Sequence, residues 1–217
     1  MKTKAPMKGL LAFSFHSASK SISTNLLISL VLAGGFLIVE NAVLLAILVL
    51  ILMLNLPMAI IMTLASKDGK WERYQLTMPI KRSDLLLMQY LSVLFATIVA
   101  AALLITVMGI STVLHDELFD YGFITIIINT AHSFGLPLLM TGVLFPLASS
   151  KIGAGREQSL LTVCMIAAMG VNVLVPNLGN MLGMSAEIFP VLIFAISVII
   201  FIVSYYITRA MYAKMNF

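Results

Sequence analysis

Six long apolar runs, separated by short polar connections, divide this sequence. Each run approaches the roughly 20 apolar residues that a helix needs to cross about 30 Å of hydrocarbon. Backbone amides in lipid must be paired within their own segment, and the alternation of a membrane β-barrel is absent, so the runs predict helices. The expected fold class is an all-α polytopic membrane protein with six transmembrane helices. The predicted spans are residues 22–39, 42–65, 85–114, 123–148, 160–175 and 188–208.

Residues 1–20 precede the first apolar run and form a separate feature. Apolar side chains such as Leu10 and Phe13 are interleaved there with polar ones such as Lys8. This mixture predicts a helix lying in the cytoplasmic interface, with its lysines toward the lipid head groups. A disordered basic tail is the other interpretation. Spans one and two are expected to form a tight hairpin, whose turn signals are Gly34, Gly35, Glu40 and Asn41.

The charges of the connecting segments alternate along the chain. All 13 Lys and Arg residues lie in the N-terminal segment, the second and fourth connections and the C-terminal tail. The other connections, near Glu40, residues 115–122 and Glu187, contain no base. Short loops rich in Lys and Arg remain in the cytoplasm. Both termini are therefore predicted to be cytoplasmic.

The composition excludes a water-soluble domain. The 217 residues are 61% hydrophobic and 10% charged, with a mean hydropathy of +1.08, whereas soluble domains contain about 25% charged residues. The net charge of +4 does not indicate nucleic-acid binding, because the bases are confined to loops beside the membrane. We predict one transmembrane domain, residues 1–217, and Cys164 is the sole cysteine, so an internal disulfide is impossible.

The segment 66–84, between spans two and three, is the most informative polar stretch, with five of the 13 bases between residues 67 and 82. Gly69 interrupts the chain, residues 71–78 can form two helical turns, and Pro79 ends them. Trp71, Tyr74 and Met78 recur at i, i+3 and i+7 and give one aromatic and apolar face. Such a helix can dock into a groove on a soluble protein or lie in the membrane interface. Both interpretations stay open on these grounds.

A family resemblance appears in the run from Glu72 to Leu91, E-R-Y-Q-L-T-M-P-I-K-R-S-D-L-L-L-M-Q-Y-L. It resembles the signature of ABC-2-type permeases, the membrane subunits of bacterial ABC exporters. In that family a cytoplasmic coupling helix between spans two and three precedes a proline-containing turn and the third span. The small permeases of peptide exporters and toxin-immunity systems are the most similar members, including those that export phenol-soluble modulins.

The resemblance implies a division of labour between subunits. The sequence contains no G-x-x-x-x-G-K-[ST] loop for nucleotide phosphates, so this chain is expected to be no enzyme and to hold no cofactor, with ATP and Mg on a separate cytoplasmic ATPase. Two permease copies, identical or not, and two ATPases would export amphipathic or hydrophobic peptides across the bacterial plasma membrane by alternating access. The residues expected to contact the ATPase are Trp71, Glu72, Arg73, Tyr74, Met78 and Pro79.

Three polar residues recur at i, i+3 and i+4 within span four: Asn129, His132 and Ser133. Ionisable residues inside a bilayer are usually functional, which makes this face a candidate substrate path. The competing interpretation is packing by interhelical hydrogen bonds.

Local features of spans two and three add further expectations. Ala96 and Ala100 are spaced to allow a close helix contact, and Pro57 should bend span two. Ser83 or Asp84 should cap span three, with a carboxylate at its positive dipole end.

Other function classes fit less well. A substrate-binding subunit of an energy-coupling vitamin importer also has about six spans, but such subunits do not usually carry a basic coupling helix between spans two and three. An intramembrane enzyme needs a nucleophile, paired carboxylates or metal ligands at membrane depth, and no Asp or Glu lies inside a predicted span.

Overall fold

The computed structural model describes residues 4–39, 42–55, 57, 82–114, 123–148 and 188–214, together with isolated positions between 159 and 183. These residues form five α-helices and one π-helical segment: α1 (Lys4–Val39), α2 (Ala42–Leu50), the π segment (Ile51–Asn55), α3 (Arg82–Leu114), α4 (Phe123–Ala148) and α5 (Ile188–Lys214). The predicted all-α class is confirmed for this part of the chain.

Four of the described helices are long and apolar enough to cross a membrane: Ile22–Val39 in α1, Ser83–Leu114 in α3, Thr130–Leu147 in α4 and Ile188–Met211 in α5. They coincide with predicted spans one, three, four and six. Only residues 42–55 and 57 of predicted span two are described, and most of predicted span five lies outside the described residues. The total of six spans stays a prediction.

The N-terminal helix differs from expectation in two respects. α1 is one continuous helix from Lys4 to Val39, so no break separates residues 4–20 from the first span. The interfacial location of those residues stays a prediction. Gly34 and Gly35 were expected in the turn and lie inside the helix instead, since glycine is well tolerated in membrane helices. Two residues, Glu40 and Asn41, separate α1 from α2.

An apolar cluster joins α1, α2 and the π segment to one side of α3. Ala96 and Ala100 lie in its centre, as predicted, and both are buried. Their small side chains let the helices approach closely, which is how membrane helices gain packing energy in the absence of a hydrophobic driving force. The buried members are Ala33, Leu48, Val49, Leu52, Met53, Ala96, Ala100, Leu104 and Met108.

The π segment shows how the chain accommodates a proline. Proline lacks an amide hydrogen, and its ring conflicts with the carbonyl four residues earlier. Ile51–Asn55 has π-helical hydrogen bonding just before the buried Pro57. The helix therefore changes its hydrogen-bonding register near the residue that was expected to disturb it.

α4 is the central helix of the bundle. Within its candidate span 67% of the residues are buried, against 17% to 33% in the other three candidate spans. Its most extensive interface is with α5, and it also contacts α3 and the π segment. This position buries Pro137 and the polar side chains of His132, Ser133 and Thr141, while Pro146 is half-buried.

α4 and α5 pack side by side with their chains running in the same direction. Gly135 lies against Phe194 and Ser197, and Gly142, further along α4, lies against Ile200, further along α5. If both helices span the bilayer in the same direction, the chain must recross the membrane between them. This agrees with the predicted fifth span and with the alternating charge pattern.

The topology predicts which positions react with a membrane-impermeant maleimide on intact cells. In a Cys164→Ser background, single cysteines replacing Asp116 or Glu187 should be labelled, because their connections are predicted to be external. Cysteines replacing Arg156 or Lys214 should react only after the membrane is permeabilised. Labelling of the residue 156 variant on intact cells would contradict the fifth span.

Candidate functional site

The predicted ATPase-contacting residues lie outside the described part of the chain: Trp71, Glu72, Arg73, Tyr74, Met78 and Pro79. The structure does describe the point where this segment enters the bundle. α3 begins at Arg82, and Asp84 lies in its first turn, where a carboxylate favours the positive end of the helix dipole. Ser83 Oγ donates a hydrogen bond to Asp84 Oδ1 at 3.3 Å. Since the helix begins before either residue, Asp84 serves as a first-turn acid and neither is the cap.

Two turns into α3, Tyr90 connects this helix to α5. Its side chain is 3% exposed, and its hydroxyl lies 2.7 Å from Ser204 Oγ and 3.1 Å from Thr208 Oγ1. We call Tyr90, Ser204 and Thr208 the tyrosine junction. All three side chains are buried, so the bonds between them are shielded from lipid and from water.

The hydroxyl protons of the tyrosine junction can be assigned by counting donors. Thr208 Oγ1 donates to the carbonyl oxygen of Ser204, one turn earlier, at 2.9 Å. A hydroxyl has a single proton, so Thr208 can only accept from Tyr90. The Tyr90 proton is then used, and Tyr90 accepts from Ser204. Each hydroxyl therefore donates once.

Aromatic side chains surround the ring of Tyr90. Phe145 of α4 packs edge-on at a centroid distance of 4.8 Å, while Phe201 and Tyr205 of α5 lie at 5.1 Å and 5.4 Å. We call these three residues the aromatic collar. Edge-to-face geometry matches the positive edge of one ring to the negative face of another. Tyr90 thus contacts two helices besides its own.

The predicted polar face of span four lies in the interior of the bundle. Asn129, His132 and Ser133 all belong to α4. The His132 and Ser133 side chains are 6% and 2% exposed, and Ser133 Oγ lies 3.4 Å from His132 Nε2, a long contact whose donor depends on the imidazole tautomer. Only the backbone of Asn129 is described. Burial is compatible with packing as well as with a path, so the path stays a prediction.

Two glycines of α4 permit the close approach of α5. A Cβ on Gly135 would lie 2.8 Å from Ser197 Oγ, 3.0 Å from Ser197 Cβ and 3.2 Å from Phe194 Cα. Ser197 Oγ is held by a 2.8 Å hydrogen bond to the Ile193 carbonyl oxygen, so it cannot turn away without losing that bond. A Cβ on Gly142 would meet the Ile200 Cγ2 methyl at 2.9 Å and the Ile200 carbonyl group at 3.4 Å, and χ1 of a β-branched side chain is restricted in a helix.

Sequence reasoning missed Gly135 and the tyrosine junction. Tyr90 lies within the run that carries the family resemblance, but nothing local marks it as an interhelical contact. Ser204 and Thr208 are spaced i and i+4 in an otherwise apolar span. That spacing puts both hydroxyls on one helix face and was the available signal.

Metal binding finds no support in the described residues. No group of three or more His, Cys, Asp or Glu side chains among them is arranged to hold a metal ion.

Comparison with known proteins gives one match. A family model described as ABC-2 family transporter protein matches residues 9–213, almost the whole chain. No curated protein and no solved structure matches.

Substitutions of glycine test the α4–α5 interface. Gly135→Ala should lower the melting temperature in detergent, because overpacking of this kind costs about 1–3 kcal/mol. Gly142→Ala should lower it as well, since its Cβ would meet a methyl group of the β-branched Ile200, whose χ1 is restricted in a helix. Gly34→Ala is the matched control, because nothing lies within 4 Å of its added Cβ. Equal melting temperatures for the Gly135 and Gly34 variants would contradict this packing.

Proposed function

The chain belongs to the ABC-2 family of transporter proteins, and from that membership we propose that it is the permease subunit of an ATP-driven exporter. The observation that carries the proposal is the family match over residues 9–213. The apolar helices and the basic connections support a location in a bacterial plasma membrane with both termini cytoplasmic. The exporter direction and a peptide cargo rest on the resemblance of the run from Glu72 to Leu91 to small peptide-exporter permeases.

The energy source in this proposal is a separate ATPase subunit. The sequence lacks a loop that could hold nucleotide phosphates, so ATP and Mg are bound by the partner. Residues 71–78 form the coupling helix seated in that partner, with Glu72, Arg73 and Tyr74 as its polar contacts. Two permease copies, each with one coupling helix, complete the assembly.

The mechanical route into the membrane begins at Arg82. Only residues 79–81 separate the proposed coupling helix, residues 71–78, from α3, which continues without interruption to Leu114. ATP-driven movement of the partner is thereby delivered to the start of a single long helix. Alternating access follows if the assembly packs differently in its nucleotide-free and nucleotide-bound states.

Replacement of two coupling residues tests the partnership. The permease is tagged and purified from host membranes. The double variant Arg73→Ala and Tyr74→Ala should co-purify with at least tenfold less ATPase than the wild-type permease does. Arg156→Ala removes a base from the other cytoplasmic connection and is the control, expected to keep most of the ATPase. A double variant that retains wild-type amounts would contradict the proposed coupling helix.

Replacement of His132 separates the two roles of the polar face of α4. His132→Gln keeps hydrogen-bonding capacity while removing the titratable ring. A path role predicts altered ATP-dependent uptake of a fluorescent amphipathic peptide by inverted membrane vesicles, with melting temperature and ATPase binding unchanged. A packing role predicts a lower melting temperature with uptake reduced only in proportion to folded protein. Unchanged uptake with unchanged stability would exclude the path role.

A further inference from the structure

Tyr90 stands between the cytoplasmic entry of α3 and the rest of the bundle. It follows Arg82, the first residue of α3, by eight positions, which is about 12 Å along a helix rising about 1.5 Å per residue. Its partners Ser204 and Thr208 lie near the C-terminal end of α5, so α3 and α5 meet there in antiparallel orientation. The contact therefore connects the cytoplasmic ends of the two helices.

We propose that Tyr90 is a positioning residue that makes α3 and α5 move as one unit when the coupling segment is displaced. This inference rests on the proposed function, because the displacing force comes from the ATPase. The hydroxyl of Tyr90 prevents sliding of α3 along α5, and the aromatic collar restrains rotation of α3. The coupling segment thereby acts on two helices although it is joined by the chain to only one.

The geometry limits how far α3 can slide before the connection breaks. Both contacts of the Tyr90 hydroxyl are at or below 3.1 Å, and hydrogen bonds weaken steeply as they lengthen and bend. An axial shift of half a helical turn, about 2.7 Å, would remove both. Thr208 cannot follow such a shift, because its own proton bonds the Ser204 carbonyl oxygen. The two helices must therefore move together or lose the bonds.

Other buried hydroxyls on α3 do not connect it to a second helix in this way. Thr97 Oγ1 donates to the Val93 carbonyl oxygen of its own helix at 2.9 Å. Ser92 Oγ is buried and has no hydrogen-bond partner among the described residues. Ser92 therefore provides a control two residues from Tyr90, because it is also buried and has no interhelical bond to another described residue.

The part of α3 from Ala96 to Met108, which follows Tyr90 along the helix, packs differently. There its contacts include apolar side chains of α1, α2 and the π segment, such as Ala33, Leu48 and Met53. Apolar contacts are non-directional, so small slides along them break no bond. The proposed movement of α3 with α5 would take place along these apolar contacts.

The experiment measures distances by electron spin resonance in the complete permease–ATPase assembly in lipid nanodiscs. In a Cys164→Ser background, labels replace the exposed side chains Val113 on α3 and Ile207 on α5, with labelled chains diluted in unlabelled ones. Distances are compared without nucleotide and with ATP plus vanadate, in the parent chain and in the Tyr90→Phe and Ser92→Ala variants. A second pair, Leu27 on α1 with Val113, reports movement of α3 against α1.

The inference expects the α3–α5 distance to stay constant between nucleotide states in the parent and in Ser92→Ala. In Tyr90→Phe it should shift by about half a helical turn, about 2.7 Å, with co-purifying ATPase unchanged. Ser204→Ala should give a smaller shift, because the bond between Tyr90 and Thr208 remains. The double variant with Tyr90→Phe should shift no further than Tyr90→Phe alone. The α1–α3 distance should change with nucleotide in the parent.

Three results would overturn the inference. A nucleotide-dependent α3–α5 distance in the parent would show that the helices are not joined. An unchanged distance in Tyr90→Phe would show that the hydroxyl does not join them, and loss of the ATPase from that variant alone would assign Tyr90 to assembly instead. A parent chain that binds no ATPase at all would overturn the proposed function. Co-purification detects that failure before any distance is measured, and so separates it from failure of the inference.

Discussion

An unpaired polar side chain inside a bilayer is costly, and this constraint favours burial of the helices that carry such residues. α4 carries a histidine, hydroxyls and two prolines within its apolar sequence. It is also by far the most buried of the candidate spans. Thr141, for example, is fully buried and bonds the Pro137 carbonyl oxygen at 2.6 Å. The more uniformly apolar α3 and α5 expose isoleucine, valine and leucine on their outer surfaces.

The same constraint explains why the tyrosine junction is built as a closed set. Its three hydroxyls and one backbone carbonyl oxygen satisfy one another with one proton each. Hydrogen bonds between membrane helices contribute on average only about 0.6 kcal/mol each, so the junction adds little to stability. Its importance is directional: it ties two helices at a defined register, next to the point where the cytoplasmic segment enters α3.

Close packing and polar contact reinforce each other around α5. Gly135 and Gly142 bring α4 to backbone contact distance of α5, and Phe145 of α4 reaches the ring of Tyr90. α3, α4 and α5 therefore share one aromatic cluster, whose buried members are Leu86, Tyr90, Leu138 and Phe201. Further along α3, the residues from Ala96 to Met108 join a second, aliphatic cluster. The bundle thus has two cores, and α3 belongs to both.

Sequence alone determined the class, the ends of four spans to within a few residues, and the family. These follow from the transfer of each segment into lipid, which depends on local composition. The pair of small residues Ala96 and Ala100 could also be identified from the sequence, because the two are only four positions apart. The partner of Tyr90 could not be predicted from the sequence, since Ser204 is 114 residues away. Many hydroxyls in these spans have the same local sequence environment. Only the tertiary structure decided which helices pair and which hydroxyls meet, because lipid-facing and protein-facing apolar surfaces have the same composition and only packing distinguishes them.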